Sequence, residues 1–125
     1  MKWAAWRLSA YRALQDPFLR YTFIVSGVCI LGMGAFVLLK LIPEGIRSSV
    51  LTLHYNVYLG IDDVKPWWWI VYPVVGMIAL FFLNAVCALG VFREDPLAAR
   101  ALAAVTALMV LLWSLHLFFL VFVNV

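Results

Sequence analysis

The stretch from Leu53 to Trp69, LHYNVYLGIDDVKPWWW, is the polar interruption of an otherwise apolar chain, and what flanks it decides the fold. Upstream lies an apolar run from Tyr21 to Ile42; downstream lie two more, Trp67 to Phe92 and Ala101 to Val123. A helix needs about 20 mostly apolar residues to cross a hydrocarbon core about 30 Å thick, and each run meets that length. The 125 residues are 67% hydrophobic and 12% charged, whereas soluble domains run at about 45–50% and about 25%. The mean hydropathy of +1.06 agrees. The chain therefore reads as an all-α membrane protein, a single transmembrane domain over residues 1–125.

Within that domain the reading places an interfacial helix at 1–16, a first crossing at 17–43, an outer loop at 44–65, a second crossing at 66–92, a cytoplasmic turn at 93–95 and a third crossing at 96–125. The first 20 residues contain four basic side chains and no apolar core, so no separable signal peptide is expected and the first crossing acts as the insertion signal. Lys2, Arg7, Arg12 and Arg20 against Asp16 leave +3 before that crossing, while the loop with Glu44, Arg47, Asp62, Asp63 and Lys65 carries −1. The positive-inside rule then puts the N-terminus in the cytoplasm and, after three crossings, Val125 outside, in a bacterial-type inner or plasma membrane.

Trp3, Trp6, Ala10, Ala13, Leu14 and Pro17 share one arc at 100° per residue, which describes a short helix lying in the headgroup layer with its arginines toward anionic lipid. Asp16-Pro17 and Asp95-Pro96 each combine an N-cap with proline at the first helical position, where a missing N–H costs nothing. Small residues recur on one face of each crossing: Gly27 and Gly34 in the first, Gly76, Ala79, Cys87 and Gly90 in the second, Ala99, Ala103, Thr106, Ala107 and Ser114 in the third. Such stripes let helices pack closely in lipid. Pro73 is expected to kink the second crossing. Cys29 and Cys87 lie inside apolar runs and read as small packing residues.

From Thr52 to Ile61 apolar and polar residues alternate, an extended pattern. Such a strand is expected at the outer interface, paired to another chain, to a second copy, or to water and headgroups, since its backbone cannot go unpaired in hydrocarbon. Glu44 to Leu51 reads as a short interfacial helix after Pro43, and Ile61 to Pro66 as a turn plus helix start, with Asp62 and Asp63 as its capping carboxylates. Trp67, Trp68 and Trp69, with Trp3 and Trp6, read as interfacial anchors.

His54, Tyr55, Asn56, Tyr58 and Asp62 are the candidate contact or headgroup site. Their spacing matches no metal site, and the chain has no catalytic carboxylate pair, no nucleophile beside a base and no phosphate loop, so no cofactor, no metal and no enzymatic activity are expected. Lys40 can snorkel from the outer end of the first crossing. Asn84 and His116 are polar groups inside crossings and thus candidates for interhelical or intersubunit hydrogen bonds, or for ion or proton passage.

The segment LHYNVYLGID followed by a proline and tryptophans resembles a group of small, uncharacterised bacterial multi-pass membrane proteins that carry a Leu-His-Tyr-Asn, Gly-Ile-Asp and Pro-Trp pattern beside a transmembrane helix. The resemblance spans Leu53 to Trp69 and implies no activity. It marks His54, Tyr55, Asn56, Gly60 and Asp62 as residues to test. The expected function is that of a non-enzymatic accessory or scaffold subunit, in contact with the lipid bilayer and with another membrane subunit or copies of itself, with no nucleic-acid partner. The alternative is an oligomeric channel or transporter component using Asn84 and His116.

Overall fold

The computed structural model describes the backbone of residues 2–56, 58 and 60–125, and the side chains of these residues outside 53–57 and 60–63. In chain order the elements are α1 (Lys2–Gln15), α2 (Pro17–Ser48), a hairpin of β1 (Val50–Asn56) and β2 (Gly60–Pro66), a 3₁₀ turn (Trp67–Ile70), α3 (Val71–Val91) and α4 (Pro96–Asn124). Three helices, Pro17–Ser48, Trp67–Val91 with the 3₁₀ turn included, and Pro96–Asn124, are long and apolar enough to cross a membrane.

Their starts follow from local chemistry. The carboxylate of Asp16 accepts from the Leu19 N–H at 3.1 Å, and that of Asp95 from the Ala98 N–H at 2.9 Å, each ahead of a proline. These caps satisfy N–H groups that have no partner inside the helix. Pro43 does not end α2, which continues to Ser48. The separate helix expected after Pro43 is thus the end of α2, tied by the Glu44–Arg47 ion pair at 2.9 Å and by the Ser48 hydroxyl donating to the Glu44 carbonyl at 2.8 Å. Ser49 closes it in the left-handed region, φ 67°, with its N–H on the Gly45 carbonyl. Nor does Pro73 sit deep in a helix: the 3₁₀ turn ends at Ile70, and Pro73 is the third residue of α3, where no intrahelical N–H is required.

α4 runs between α2 and α3, which scarcely meet. Burial follows this order, with 33% of the most apolar stretch of α4 buried against 22% for α2 and 17% for α3. Its buried face is Ala99, Ala103, Thr106, Val110, Ser114, Leu117, Leu120 and Val121, which contains most of the expected small-residue stripe. On α2 the packed face is Leu19, Ser26, Ile30, Gly34, Val37, Leu41 and Gly45; Gly34 is part of it, whereas a side chain at Gly27 would meet nothing within 4 Å. α3 departs from expectation. It packs through Val74, Met77 and Ala88, next to Ile70 of the 3₁₀ turn, and Ala79, Leu83 and Cys87 face outward. α4 covers one flank of α3 and α1 its last turns, and Val74 and Met77 gain more dispersion contact against α4 and α2 than small side chains would.

Two clusters result. At the α1 end Ala13, Leu19, Ala99 and Ala103 meet at 0% exposure. Toward the hairpin end Ile30, Val37, Leu41, Leu51, Ile70, Met77 and Leu117 form a larger one. Gly45 is needed there: a methyl group on it would fall 2.3 Å from Trp67 Cβ, so only glycine lets α2 pass the 3₁₀ turn at this distance.

Candidate functional site

The polar side chains gather at the two ends of the bundle. At the hairpin end, β1 and β2 pair antiparallel from Val50↔Pro66 to Asn56↔Gly60. This corrects two expectations. The alternating strand has its partner within the chain, and Ile61 to Pro66 belongs to that partner and is not a helix start. The alternation continues on both sides of a connection bracketed by Asn56 and Gly60, turn-favouring residues whose hairpin signal is legible in hindsight. Leu53 on β1 and Asp62 on β2 are each skipped in the register, so two one-residue bulges compensate.

The hairpin is held at its base. Leu51 is 2% exposed in the main core, and the Asn124 side chain lies along the free edge of β1. Its Oδ1 accepts from the Thr52 N–H at 2.7 Å, and its Nδ2 donates to the Thr52 carbonyl at 2.7 Å and to the Leu120 carbonyl at 2.8 Å. One side chain at the end of α4 thereby acts as a short third strand on an edge that would otherwise be open. Nothing in the local sequence around Asn124 signals this contact.

Of the expected contact residues, His54, Tyr55 and Asn56 lie on β1 and Asp62 on β2, with His54 opposite Asp63 in register. Their side chains are outside the described residues. Tyr58, at the hairpin tip, is 95% exposed. Trp67 turns inward onto the core, while Trp68 and Trp69 are more exposed and cluster with Tyr72 at ring distances of 5.2–6.2 Å; the Lys65 ammonium stands 5.3 Å from the Trp69 ring.

At the opposite end α1 docks on α3 and the start of α2, with Ser9, Ala10 and Ala13 buried and Ala13 packed with Leu19, Ala99 and Ala103. Ser9, 2% exposed, places its hydroxyl 2.7 Å from the Leu89 carbonyl and 3.0 Å from that of Gly90, and accepts from the Arg93 N–H at 3.0 Å. It satisfies both donor and acceptor groups where α3 ends. The helical wheel put Ser9 off the apolar arc; it is buried because its hydrogen bonds are filled by another helix. Asp16 is bound by Arg100 at 2.6 Å besides capping α2. The Arg100 guanidinium holds the Asp16 carboxyl below the ordinary carboxylate range, opposed by burial and helped by the Leu19 N–H. Lys2, Arg7, Arg12, Arg20, Arg93 and Arg100 all belong to this end, against Asp16, Glu94 and Asp95. The hairpin end has Lys40, Arg47 and Lys65 against Glu44, Asp62 and Asp63.

Between the ends little is polar. Asn84 donates from Nδ2 to Met109 Sδ at 3.8 Å across the α3–α4 contact, and Cys29 lies 3.4 Å from the Ser114 hydroxyl between α2 and α4. His116 is exposed beside Met109, Leu112 and Trp113, and Cys87 faces outward. Asn84 and His116 thus both lie beside Met109 and Trp113, Asn84 half-buried on α3 and His116 exposed on α4. Trp113 Nε1 is buried without a hydrogen-bond partner among the described residues, its ring laid over Gly76 at 3.2 Å from where a methyl would stand. Also among the described residues, no three of His, Cys, Asp and Glu are grouped to hold a metal ion. Compared with known proteins, the chain matches no family model, no curated protein and no solved structure.

Proposed function

We propose that this integral membrane protein is a non-enzymatic accessory or scaffold subunit that packs against another membrane subunit or against copies of itself. The observation that carries the reading is the open arrangement of the bundle: α2 and α3 both lean on α4 and scarcely on each other, so most of each spanning helix remains uncovered within the chain. Lipid covers apolar faces readily, yet three helices in an open row leave van der Waals surface that a neighbouring helix can fill. A hairpin projecting from one end adds a second surface of a kind that pairs with other proteins.

The excess of six basic residues at the α1 end over three at the hairpin end supports an N-terminus in the cytoplasm and the hairpin outside, in a bacterial inner or plasma membrane. α1 is then an interfacial helix, with Trp3, 78% exposed, at the headgroup layer. The alternative is an oligomeric channel or transporter component in which Asn84, 3.8 Å from Met109 Sδ, and the outward-facing His116 line a pathway between copies. Affinity capture of the chain from membranes in mild detergent, with cross-linking and mass spectrometry, tests the subunit reading. A specific membrane protein or a discrete homo-oligomer is expected; a lone monomer that cross-links to nothing overturns it. Unchanged ion and proton flux in vesicles bearing His116→Ala removes the channel alternative.

A further inference from the structure

We propose that the recess between α1 and the last turns of α3 is a binding site for one anionic phospholipid. The proposal is independent of the subunit reading, since it concerns only this chain and the bilayer around it. The recess has two adjoining parts that share Lys2 and Trp6. The apolar one, about 510 Å³, is lined by Lys2, Trp3, Trp6 and Val86. The polar one, about 560 Å³, is lined among others by Lys2, Trp6, Ser9, Gly90, Arg93 and Glu94. Trp6 belongs to both, seated on Gly90 with its Nε1 3.0 Å from where a methyl group would project. Trp3 meets Trp6 edge to face at 6.1 Å.

The chemistry from one part to the other is that of an amphiphile. Lys2 and Arg93 can receive a phosphate, and with Glu94 the polar part keeps one net positive charge in an end of the molecule whose basic residues outnumber its acids. The indoles span the boundary between polar and apolar matter, as they do at membrane interfaces. Beyond Val86 the outward flank of α3, with Leu83 60% exposed and Ala79 one turn further, offers a smooth track for an acyl chain. A free phosphate would leave the apolar part unused, and a zwitterionic lipid would bring its own cation to Lys2 and Arg93.

Native mass spectrometry of the full chain in mild detergent, titrated separately with dioleoylphosphatidylglycerol, dioleoylphosphatidylcholine and inorganic phosphate, tests this. One phosphatidylglycerol is expected to bind about thirty-fold more tightly than phosphatidylcholine, about five-fold from each cation. Lys2→Gln with Arg93→Gln should abolish the preference, while Lys40→Gln at the other end should leave it intact. Trp3→Ser, at an exposed position, should weaken both lipids alike; helical circular dichroism verifies that each variant is folded. Equal affinity for the two lipids, a preference surviving the double substitution, or competition by inorganic phosphate at concentrations matching the lipid's would overturn the proposal. So would a dimer occupying the recess that phosphatidylglycerol does not displace.

Discussion

Asn124→Ala is expected to release the hairpin from the bundle, and its size can be worked from the contacts. The substitution removes three hydrogen bonds of 2.7–2.8 Å and leaves the Thr52 N–H and carbonyl without their partner. Each such bond contributes a net ~0.5–1.5 kcal/mol where water can replace it, and the Leu120 carbonyl, already in its helix, loses little. Two backbone groups therefore give about 1–3 kcal/mol. The assay is hydrogen exchange at the Thr52 amide. Because that N–H is directed to Asn124 and not to β2, its protection reports on this contact alone. An opening free energy lowered by that amount raises its exchange by roughly 5- to 150-fold, while the amides of the β1–β2 ladder change less as long as Leu51 stays buried. Unchanged exchange at Thr52 would refute the reasoning, for it would mean that the edge of β1 is covered by something other than Asn124.

Gly45→Ala should destabilise the hairpin end by roughly 1–3 kcal/mol in a denaturant titration despite the better helix propensity of alanine, because the new methyl meets Trp67 Cβ, which no rotamer change can move. Ser9→Ala, nearly isosteric, strands the Arg93 N–H and the Leu89 carbonyl and should free α1 by about 1–3 kcal/mol, read as faster proteolysis between Lys2 and Gln15 with the rest of the bundle intact. Since the Asp16 carboxyl is depressed in the folded chain, its contribution is complete above the ordinary carboxylate range and is lost as pH falls through that range toward the folded value. Acid unfolding should therefore begin at the α1 end, and Asp16→Asn should flatten that part of the pH profile. Trp113→Phe removes a buried donor that has no partner among the described residues and should change stability by less than about 1 kcal/mol in the purified chain; a large loss would mean that the indole N–H is bonded after all.

What the sequence determined by itself is the part governed by short-range physics. Three apolar runs of spanning length can only be helices in a bilayer, since no other single segment satisfies its backbone there. Asp16-Pro17 and Asp95-Pro96 start α2 and α4 by their own local chemistry, and the Ala99–Ser114 stripe announced the face that α4 buries. The alternation in β1 was also legible. The remainder was decided by contacts between residues 72 to 85 positions apart: Asn124 on Thr52, Ser9 on Leu89 and Arg93, Asp16 on Arg100, Cys29 beside Ser114. A Ser, Asn or Asp carries the same hydrogen-bonding groups whether it faces solvent, its own backbone or a distant helix, so local pattern cannot choose among these. Likewise α3 is apolar nearly all round, and only the positions of α4 and α2 beside it select Val74, Met77 and Ala88, with Ile70 of the 3₁₀ turn, over Ala79, Leu83 and Cys87. The stretch from Leu53 to Trp69 shows both limits at once: its extended character is local, but its pairing, its bulges and its attachment to the end of α4 exist only in the folded chain.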